Sequence, residues 1–377
     1  MNLKSITVFL FMLLVTAGSG ARAQETPLNR EAFQRTVQGK ESDLFFLNNS
    51  RGMEVAITNY GGRIVRWTAP DRHGSYEDVV LGFDALEGYK QASSPSFGAT
   101  IGRYASRIAE GRFYLDGEAF NLPVNVPPNH LHGGWEGFFN VVFDAEQWSE
   151  RHLRLRYVSP DGEAGYPGNL SVQIQFTLTE NNELKIEYVA STDKPTVVSL
   201  SNHTYFNLAG KDAETMYGHR LYIHADRYTP VDSVMIPTGE ITPVDGTPFD
   251  FREPTFMGEY LETMHPKLAS TRGYDHHWVL NRENEYQLVK AAVLYEPESA
   301  RKLEIFTTKP GLYLYGGNFF PGTDKGKGGR LIKAGSGLSL LPQYFPDAPN
   351  RPEFPSARLD PGEWYHEMTI YRFSTGP

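Results

Sequence analysis

The chain has 377 residues, a formal net charge of −9 and no cysteine. The missing cysteine excludes disulfides, thiol nucleophiles, lipoprotein anchors and thiolate metal sites. The negative charge and the lack of a long basic run argue against nucleic acid or anionic lipid as a partner. Aromatic residues make up 13% of the sequence, a share that suits β-sheet cores.

The first 23 residues have the three parts of a secretory signal peptide. Lys4 supplies the basic start, residues 6–15 form an apolar run, and Ala21-Arg22-Ala23 matches an Ala-x-Ala cleavage site. The apolar run is too short for a membrane span, and no later segment approaches the roughly 20 apolar residues that a spanning helix needs. We therefore expect cleavage after Ala23 and export to the periplasm or beyond the cell. Residues 24–377 are expected to form a single domain.

Alternation of apolar and polar residues is the main structural pattern of this domain. Three stretches alternate with period two and turn at paired small or polar residues: 53–67 at Gly61-Gly62, 111–122 at Asp116-Gly117, and 170–191 at Asn181-Asn182. Short strands of this kind continue to the C-terminal end, while helical periodicity is scarce. The pattern predicts an all-β fold, a large antiparallel β-sandwich of two sheets.

Two later segments are predicted to be irregular. The Gly-rich residues 321–330 are expected to form a flexible surface loop, and their glycines lack the spacing of a phosphate-binding loop. Residues 337–356, "GLSLLPQYFPDAPNRPEFPS", contain five prolines. Because proline disrupts helices and most strands, this segment is predicted to be a rigid loop, a common place for functional residues.

Four polar clusters precede that proline-rich segment. The first, "GRYASRIAEG", contains Arg103 and Arg107, which can hold hydroxyls or a carboxylate with two donors or can form a solvated surface pair. The second, "PNHLHGGWEG", would place His130 and His132 on one face if the segment is extended. Such a pair suits a metal ion or hydrogen bonds to a ligand. We favour hydrogen bonds and expect no metal.

The other two clusters follow in the second half of the chain. In "VVSLSNHTYFNL", His203 can exchange a proton near neutral pH or be a satisfied core histidine. In "RGYDHHWVL", adjacent His276 and His277 should point to opposite sheet faces, whereas Asp275 can accept two hydroxyls. No nucleophile elbow or dinucleotide motif accompanies these clusters. The residues alone predict a pocket for a sugar or small polyol.

Six motifs in this order resemble the galactose mutarotase (aldose 1-epimerase) family: "IGRYASRI", "LHGG", "SNHTYFNL", "GYDHHWVL", "TTKPGLYLYGGN" and "PQYFPDAPNRPEFPS". The resemblance covers residues 45–373. It implies a large antiparallel β-sandwich that interconverts the α and β anomers of a free hexose without a cofactor.

The resemblance also implies roles for individual residues. His203 is similar to the acid that protonates the ring oxygen, and His132 would lie close to the reacting end of the sugar. Five further residues would bind the substrate: Arg107, Ser106, Tyr205, Asp275 and Gln343. Ser106 stands where asparagine is common in the family. Lys309 and Tyr313 stand where glutamate and glutamine are common, and these three departures are expected to alter sugar preference without stopping the reaction.

One departure affects the chemistry itself. The family's base is a glutamate two residues before Gln343, and this chain has Leu341 there. Three interpretations follow: Glu353 or Asp347 replaces the base, water or His132 accepts the proton and activity is weak, or the protein is a non-catalytic carbohydrate-binding protein. The sequence predicts no oligomeric state.

Overall fold

The computed structural model describes residues 28–211, 213–263 and 265–376. The predicted signal peptide, residues 1–23, lies outside them. In the described part of the chain, no helix has the length and apolar character needed to cross a membrane.

Strands dominate both halves of the chain. The first half contains β1 Arg35–Val37, β2 Lys40–Ser42, β3 Leu44–Asn48, β4 Glu54–Thr58, β5 Arg63–Pro70, β6 Tyr76–Asp78, β7 Thr100–Ile101, β8 Arg107–Ile108, β9 Arg112–Leu115, β10 Glu118–Asn121, β11 His130–Leu131, β12 Asp144–Ser149, β13 His152–Ser159, β14 Leu170–Leu178, β15 Glu183–Thr192 and β16 Thr196–Val197. The second half contains β17 Ser201–Asn202, β18 Tyr205–Phe206, β19 Arg220–Ile223, β20 Arg227–Thr229, β21 Thr242–Pro243, β22 Thr255–Phe256, β23 Asp275–Val279, β24 Val289–Tyr295, β25 Arg301–Thr307, β26 Gly311–Tyr315, β27 Pro321–Lys325, β28 Leu331–Lys333, β29 Leu338–Gln343, β30 Arg358–Leu359 and β31 Tyr365–Thr375.

Helical segments are short. The α-helices are α1 Leu86–Gln91 and α2 Gly258–Leu261, and the 3₁₀ turns are Arg30–Phe33, Ala109–Gly111, Phe138–Asn140, Glu163–Gly165, Pro266–Leu268, Lys327–Gly329 and Ala348–Asn350.

Two large antiparallel sheets form the body of the fold. The nine-stranded sheet has the order β12-β13-β14-β15-β31-β25-β24-β19-β22, and the six-stranded sheet has the order β18-β29-β26-β23-β20-β21. A third sheet has four strands in the order β3-β4-β5-β6, and its Val55, Ile64 and Trp67 belong to the main hydrophobic core. One continuous hydrophobic core holds Ile174 and Ile305 of the larger sheet together with Leu312, Leu340 and Trp278 of the smaller one. The predicted antiparallel β-sandwich is therefore confirmed.

The predicted hairpins are present. β14 pairs with β15 from Leu170–Thr192 to Leu178–Leu184, and side chains along β14 are alternately buried and less buried. β9 pairs with β10 across Asp116 and Gly117, whose φ angles of 51° and 84° suit the tight turn that an Asp-Gly pair predicts. β4 pairs antiparallel with β5 across a connection that contains Gly61 and Gly62, with a register shift between Ala56 and Ile57. Here local turn chemistry and burial act together, which is why the sequence pattern was sufficient.

Both predictions of irregular structure were partly wrong. Pro321–Lys325 is strand β27, which pairs with β28, and the amine of Lys327 in the connecting turn contacts the carboxylate of Asp78 and donates to the Val65 carbonyl at 2.8 Å. The first part of the proline-rich segment is strand β29. β18 pairs only with Leu338 and Ser339, the first two residues of β29. Pro342 lies beyond that pairing, so the N–H that proline lacks removes no hydrogen bond to β18. The residues after Gln343 form the predicted loop.

Candidate active site

One face of the six-stranded sheet gathers the polar residues of separate motifs. In the register of neighbouring strands, Leu341 lies opposite Tyr313 and Tyr313 opposite His277, while Asp275 lies opposite Tyr315. Because side chains alternate along a strand, all five share one face. The alternate residues, Leu340, Leu312 and Trp278, point into the main core. His276 is therefore on the other face from His277, as predicted, with its ring 4.6 Å from that of Phe249.

Strand register places His203 near Leu341. Tyr205 pairs with Ser339, and the Ser201 hydroxyl donates to the Pro342 carbonyl at 2.8 Å, so the two segments run side by side. Continuing this antiparallel register places His203 opposite Leu341. The position that holds the proton acceptor in the family thus lies across from the imidazole that resembles its acid.

His132 joins His203 from a separate loop. The two imidazole centroids are 5.4 Å apart at nearly perpendicular planes, and the ring of Tyr205 lies 4.8 Å from that of His203. The backbone N–H of Ser106 donates to His132 Nδ1 at 3.0 Å. Since Nδ1 accepts this bond, the neutral ring carries its proton on Nε2. His132 is therefore a hydrogen-bond donor toward the site.

The prediction that His130 and His132 share a face was wrong. His132 has a φ of 56°, so the segment is not extended there. His130 instead bonds to the Pro123 carbonyl at 2.7 Å and to the Tyr166 hydroxyl at 2.8 Å. Among the residues that the structure describes, no group of three or more potential ligands could hold a metal ion.

Arg107 and Asp275 form the charged end of the site. Arg107 Nη2 lies 3.6 Å from Asp275 Oδ2, and Arg107 Nη1 donates to the Tyr313 hydroxyl at 3.2 Å. That hydroxyl donates to the Asp275 carbonyl at 3.0 Å. Arg103 is elsewhere, with its guanidinium bonded to the Ser159 hydroxyl at 2.7 Å and the Pro167 carbonyl at 2.9 Å. Only one arginine of the predicted pair therefore belongs to the site.

Burial determines the protonation of the site. His203 is 4% exposed, and burial lowers its pKa to about 3. Burial lowers the pKa of His132 well below its usual value, and the nearby His203 and Arg107 disfavour its protonated form further. Burial raises the pKa of Asp275, and Arg107 and Tyr313 oppose that rise in part. Both imidazoles are therefore neutral at pH 7.

Several buried polar atoms on this face are unpaired. Within residues 28–211, 213–263 and 265–376, no partner is found for His203 Nδ1, His277 Nε2, the Ser339 hydroxyl or either amide atom of Gln343. Gln343 and His277 are completely buried. Because buried polar groups are normally hydrogen-bonded, such a concentration on one face points to a binding site for a polar ligand.

Comparison with known proteins agrees with this geometry. The profile of the aldose 1-epimerase family matches residues 43–372. The chain belongs to the aldose 1-epimerase family. Galactose mutarotase of Rattus norvegicus is 44% identical over 347 residues, which cover 92% of this chain and 98% of the relative. Aldose 1-epimerase of Escherichia coli (strain K12) is 37% identical over 338 residues, 89% of this chain and 96% of the relative.

Solved structures of the same family share the fold. The GalM/aldose epimerase homologue from C. elegans superposes with a TM-score of 0.81 at 28% identity, covering 89% of this chain and all of that one. Galactose 1-epimerase from Lactobacillus acidophilus NCFM gives a TM-score of 0.78 at 30% identity, covering 91% and 97%. These likenesses confirm the resemblance that the six motifs indicated.

For an aldose 1-epimerase, the two carboxylates suggested as replacement bases are poorly placed. Asp347 Oδ1 accepts from the Ala109 N–H at 2.9 Å and from Asn350 at 2.7 Å, and Oδ2 accepts from Arg351 at 3.3 Å. The Asp347 N–H donates to the Arg107 carbonyl at 2.8 Å, so this residue fastens the proline-rich loop behind the site. Glu353 is exposed beside Gly239. Neither carboxylate belongs to the sheet face that carries Leu341.

The other departures from the family pattern differ in position. Tyr313 is in the site, bonded to Arg107. Lys309 is not on the same face: its amine donates to the Leu200 carbonyl and lies 4.1 Å from the centre of the Tyr188 ring, a core residue. Burial lowers the pKa of Lys309 to about 7. Of these two, Tyr313 is therefore the one that can contact a sugar.

Sequence reasoning missed two residues of this face, Tyr315 and Ser339, and named His277 without assigning it to the site. All three belong to the face through strand register. Period-two counting from Leu341 and Asp275 would have found Ser339 and His277, once those segments were recognised as strands.

Proposed function

We propose that this member of the family interconverts the α and β anomers of a free hexose such as galactose or glucose. The observation that carries the proposal is the meeting of His203 and His132 with the Arg107–Asp275 pair at one buried face. The names of the curated relatives, galactose mutarotase and aldose 1-epimerase, support the same reaction.

The reaction requires two proton transfers and no cofactor. His203 gives a proton to the ring oxygen while the hydroxyl at C1 loses its proton, and the ring opens to an aldehyde. Rotation about the C1–C2 bond and reclosure give the other anomer. His132 donates from Nε2 toward the reacting end. Arg107, Asp275 and Tyr205 would hold the remaining hydroxyls, because fixed positions lower the entropic cost of reaction.

The protonation state of His203 limits this chemistry. With a pKa of about 3, only about one molecule in 10⁴ carries the imidazolium at pH 7. A carboxylate at position 341 would stabilise that cation, but leucine cannot. The natural protein is therefore expected to be a slow enzyme.

Polarimetry tests the proposal. Fresh α-galactose or α-glucose should relax faster with purified protein than in buffer alone, and His203→Asn should return the rate to that of buffer. His366→Asn, a change at an exposed histidine, should leave the rate unaltered and serves as the matched control. If the wild-type protein binds the sugar but never exceeds the buffer rate, it is a carbohydrate-binding protein of this fold and not an enzyme.

We also propose that the protein is exported. The support is the sequence of residues 1–23 and the start of the family match at residue 43, well after them. Mass spectrometry of protein expressed in a Gram-negative bacterium should find a mature N-terminus at Gln24. An intact N-terminus in the cytosolic fraction would refute export.

A further inference from the structure

A cavity outside the candidate active site has a volume of about 440 Å³. It is lined by residues of β5 and β6, of the chain after β18 and of the β27–β28 hairpin. His203, His132, Arg107 and Asp275 are not among its lining residues, so this side cavity is distinct from the proposed sugar site. Its volume is in the range of about 300 to 1,000 Å³ that is usual for small-molecule sites.

The apolar lining of the side cavity comes from two hydrophobic clusters. Val79 and Val80 belong to the main core. Ile332 belongs to a second cluster, against which Leu28 and Leu81 pack. The cavity therefore lies where the two clusters meet. Aliphatic walls of this kind favour the apolar part of a ligand, because its burial removes apolar surface from water.

The hairpin that closes one side of the cavity is fixed in place. The Lys327 N–H donates to the Gly82 carbonyl at 3.0 Å, and the Gly328 N–H donates to Asp84 Oδ2 at 2.7 Å. The amine of Lys327 also contacts the carboxylate of Asp78. Because these contacts hold the turn against the body of the fold, the cavity is preformed, as most small-molecule sites are.

The charge of this lining is opposite in sign to that of the whole chain. The chain has a formal net charge of −9. Four cationic and two acidic residues line the cavity: Arg66, Lys211, Lys327, Arg330, Asp78 and Asp84. Arg66 Nε lies 3.6 Å from Glu54 Oε1. Lys211 and Arg330 have no ion pair within residues 28–211, 213–263 and 265–376. The first is exposed and the second half-buried, so both can receive an anion from solvent.

A second sugar molecule is not the expected ligand, because the uncharged polar side chains of the lining are bonded within the protein. Asn29 Oδ1 accepts from the Glu31 N–H at 3.0 Å. The Asn207 amide donates to the Ser336 carbonyl at 2.9 Å, and the Ser336 hydroxyl accepts from the Lys333 N–H at 2.9 Å. Burying a hydroxyl without a partner is costly, so these walls favour a ligand that is polar at one end only.

We propose that the side cavity binds a small anionic amphiphile, a molecule with an aliphatic body and one terminal carboxylate. The body packs on the walls that the two clusters contribute, and the carboxylate lies near Lys211 and Arg330. Burial of the aliphatic body and attraction between opposite charges both contribute to affinity. The inference does not depend on the proposed mutarotase function, so each can fail without the other.

Isothermal titration calorimetry of the purified protein with octanoate tests the proposal. Octanoate should bind one molecule per chain. Octanol and octylammonium, which lack the negative charge, should bind at least about tenfold more weakly. Butanoate should also bind at least about tenfold more weakly, because each buried methylene is worth roughly fourfold in affinity. Excess galactose should leave the dissociation constant of octanoate unchanged, since the cavity is separate from the proposed sugar site.

Variants locate the bound molecule. Lys211→Gln combined with Arg330→Gln should weaken octanoate binding at least about tenfold and leave octanol binding unchanged. Lys333→Gln removes an exposed cation of the same hairpin outside the lining and is the matched control. Leu331 lines the cavity and is 43% exposed, so Leu331→Asp should fold and should weaken octanoate binding through repulsion. Circular dichroism checks the fold of each variant.

Four results would overturn the proposal. Octanoate may give no binding heat, or the three octyl compounds may bind equally well. The double variant may bind octanoate as tightly as the wild type does, which would place the molecule elsewhere. Displacement of octanoate by galactose would place it in the sugar site.

Discussion

Leu341→Glu is expected to accelerate mutarotation of α-galactose by about 10²- to 10⁴-fold, the usual worth of general-base catalysis. The register places residue 341 opposite His203 and next to Tyr313, so a glutamate there faces the reacting imidazole. The new carboxylate should also raise the pKa of His203 from about 3, because a nearby negative charge favours the imidazolium. Polarimetry measures the rate, and NMR titration of the His203 ring measures the pKa.

Leu341→Gln is the matched control for this variant. Glutamine has the shape of glutamate and can bond to the anomeric hydroxyl, but it accepts no proton at this pH. It should leave kcat within about threefold of the wild type, whereas Leu341→Glu exceeds it by far. Equal rates for the two folded variants would show that position 341 does not control the chemistry here.

The natural leucine has a further consequence for the charge of the site. Among the described residues that pair on this face of the six-stranded sheet, Asp275 alone has a carboxylate, and Arg107 lies 3.6 Å from it. In the proposed reaction, two neutral imidazoles and this ion pair would bind a neutral sugar with little change in net charge. Leu341 in place of glutamate therefore removes the family's base and the charge that would stabilise the His203 imidazolium, while the proposed binding groups stay in place. We expect it to lower kcat more than affinity for the sugar.

Much of the candidate site could be predicted because six short motifs occur in the order that is typical of one family. His203, His132, Arg107, Asp275 and Tyr205 are brought together from four segments that are far apart in sequence. The resemblance to the family supplied that grouping. The residue types alone also allowed His203 to be a core histidine and the two arginines to be a solvated surface pair.

What the sequence could not supply is register and burial. The proline content of the segment after Gly337 concealed strand β29, whose pairing with β26 brings Ser339 and Gln343 to the site face. Because His132 has a positive φ, the segment is not extended there, and His130 and His132 do not share a face as predicted. Both features depend on tertiary contacts. Strand β29 tolerates Pro342 because β18 does not pair with it there. The His132 ring is held by the hydrogen bond from the Ser106 N–H.

Acid should unfold this protein at an unusually high pH. Burial lowers the pKa of six histidines to about 4, about 3 or well below the usual value: His130, His132, His203, His219, His276 and His277. Unfolded, each titrates near pH 6.5. Between these values the unfolded chain binds more protons, so the free energy of unfolding is greatest above about pH 6.5 and falls as the pH drops toward 4.

The size of the effect decides the outcome. Each histidine contributes about 1.4 kcal/mol per pH unit in that window, and six together contribute about 8 kcal/mol per unit. A typical domain has a free energy of unfolding of about 5 to 15 kcal/mol, so we expect the acid midpoint between about pH 4.7 and 6. Urea unfolding followed by circular dichroism from pH 7.5 to 5 gives the slope. His219→Gln, which can still accept the Leu208 N–H bond that His219 receives at 2.8 Å, should reduce the slope by about one proton. A midpoint below pH 4, or a slope of one proton or less, would show that these rings are hydrated or charged in the folded protein and would remove the basis for a neutral His203.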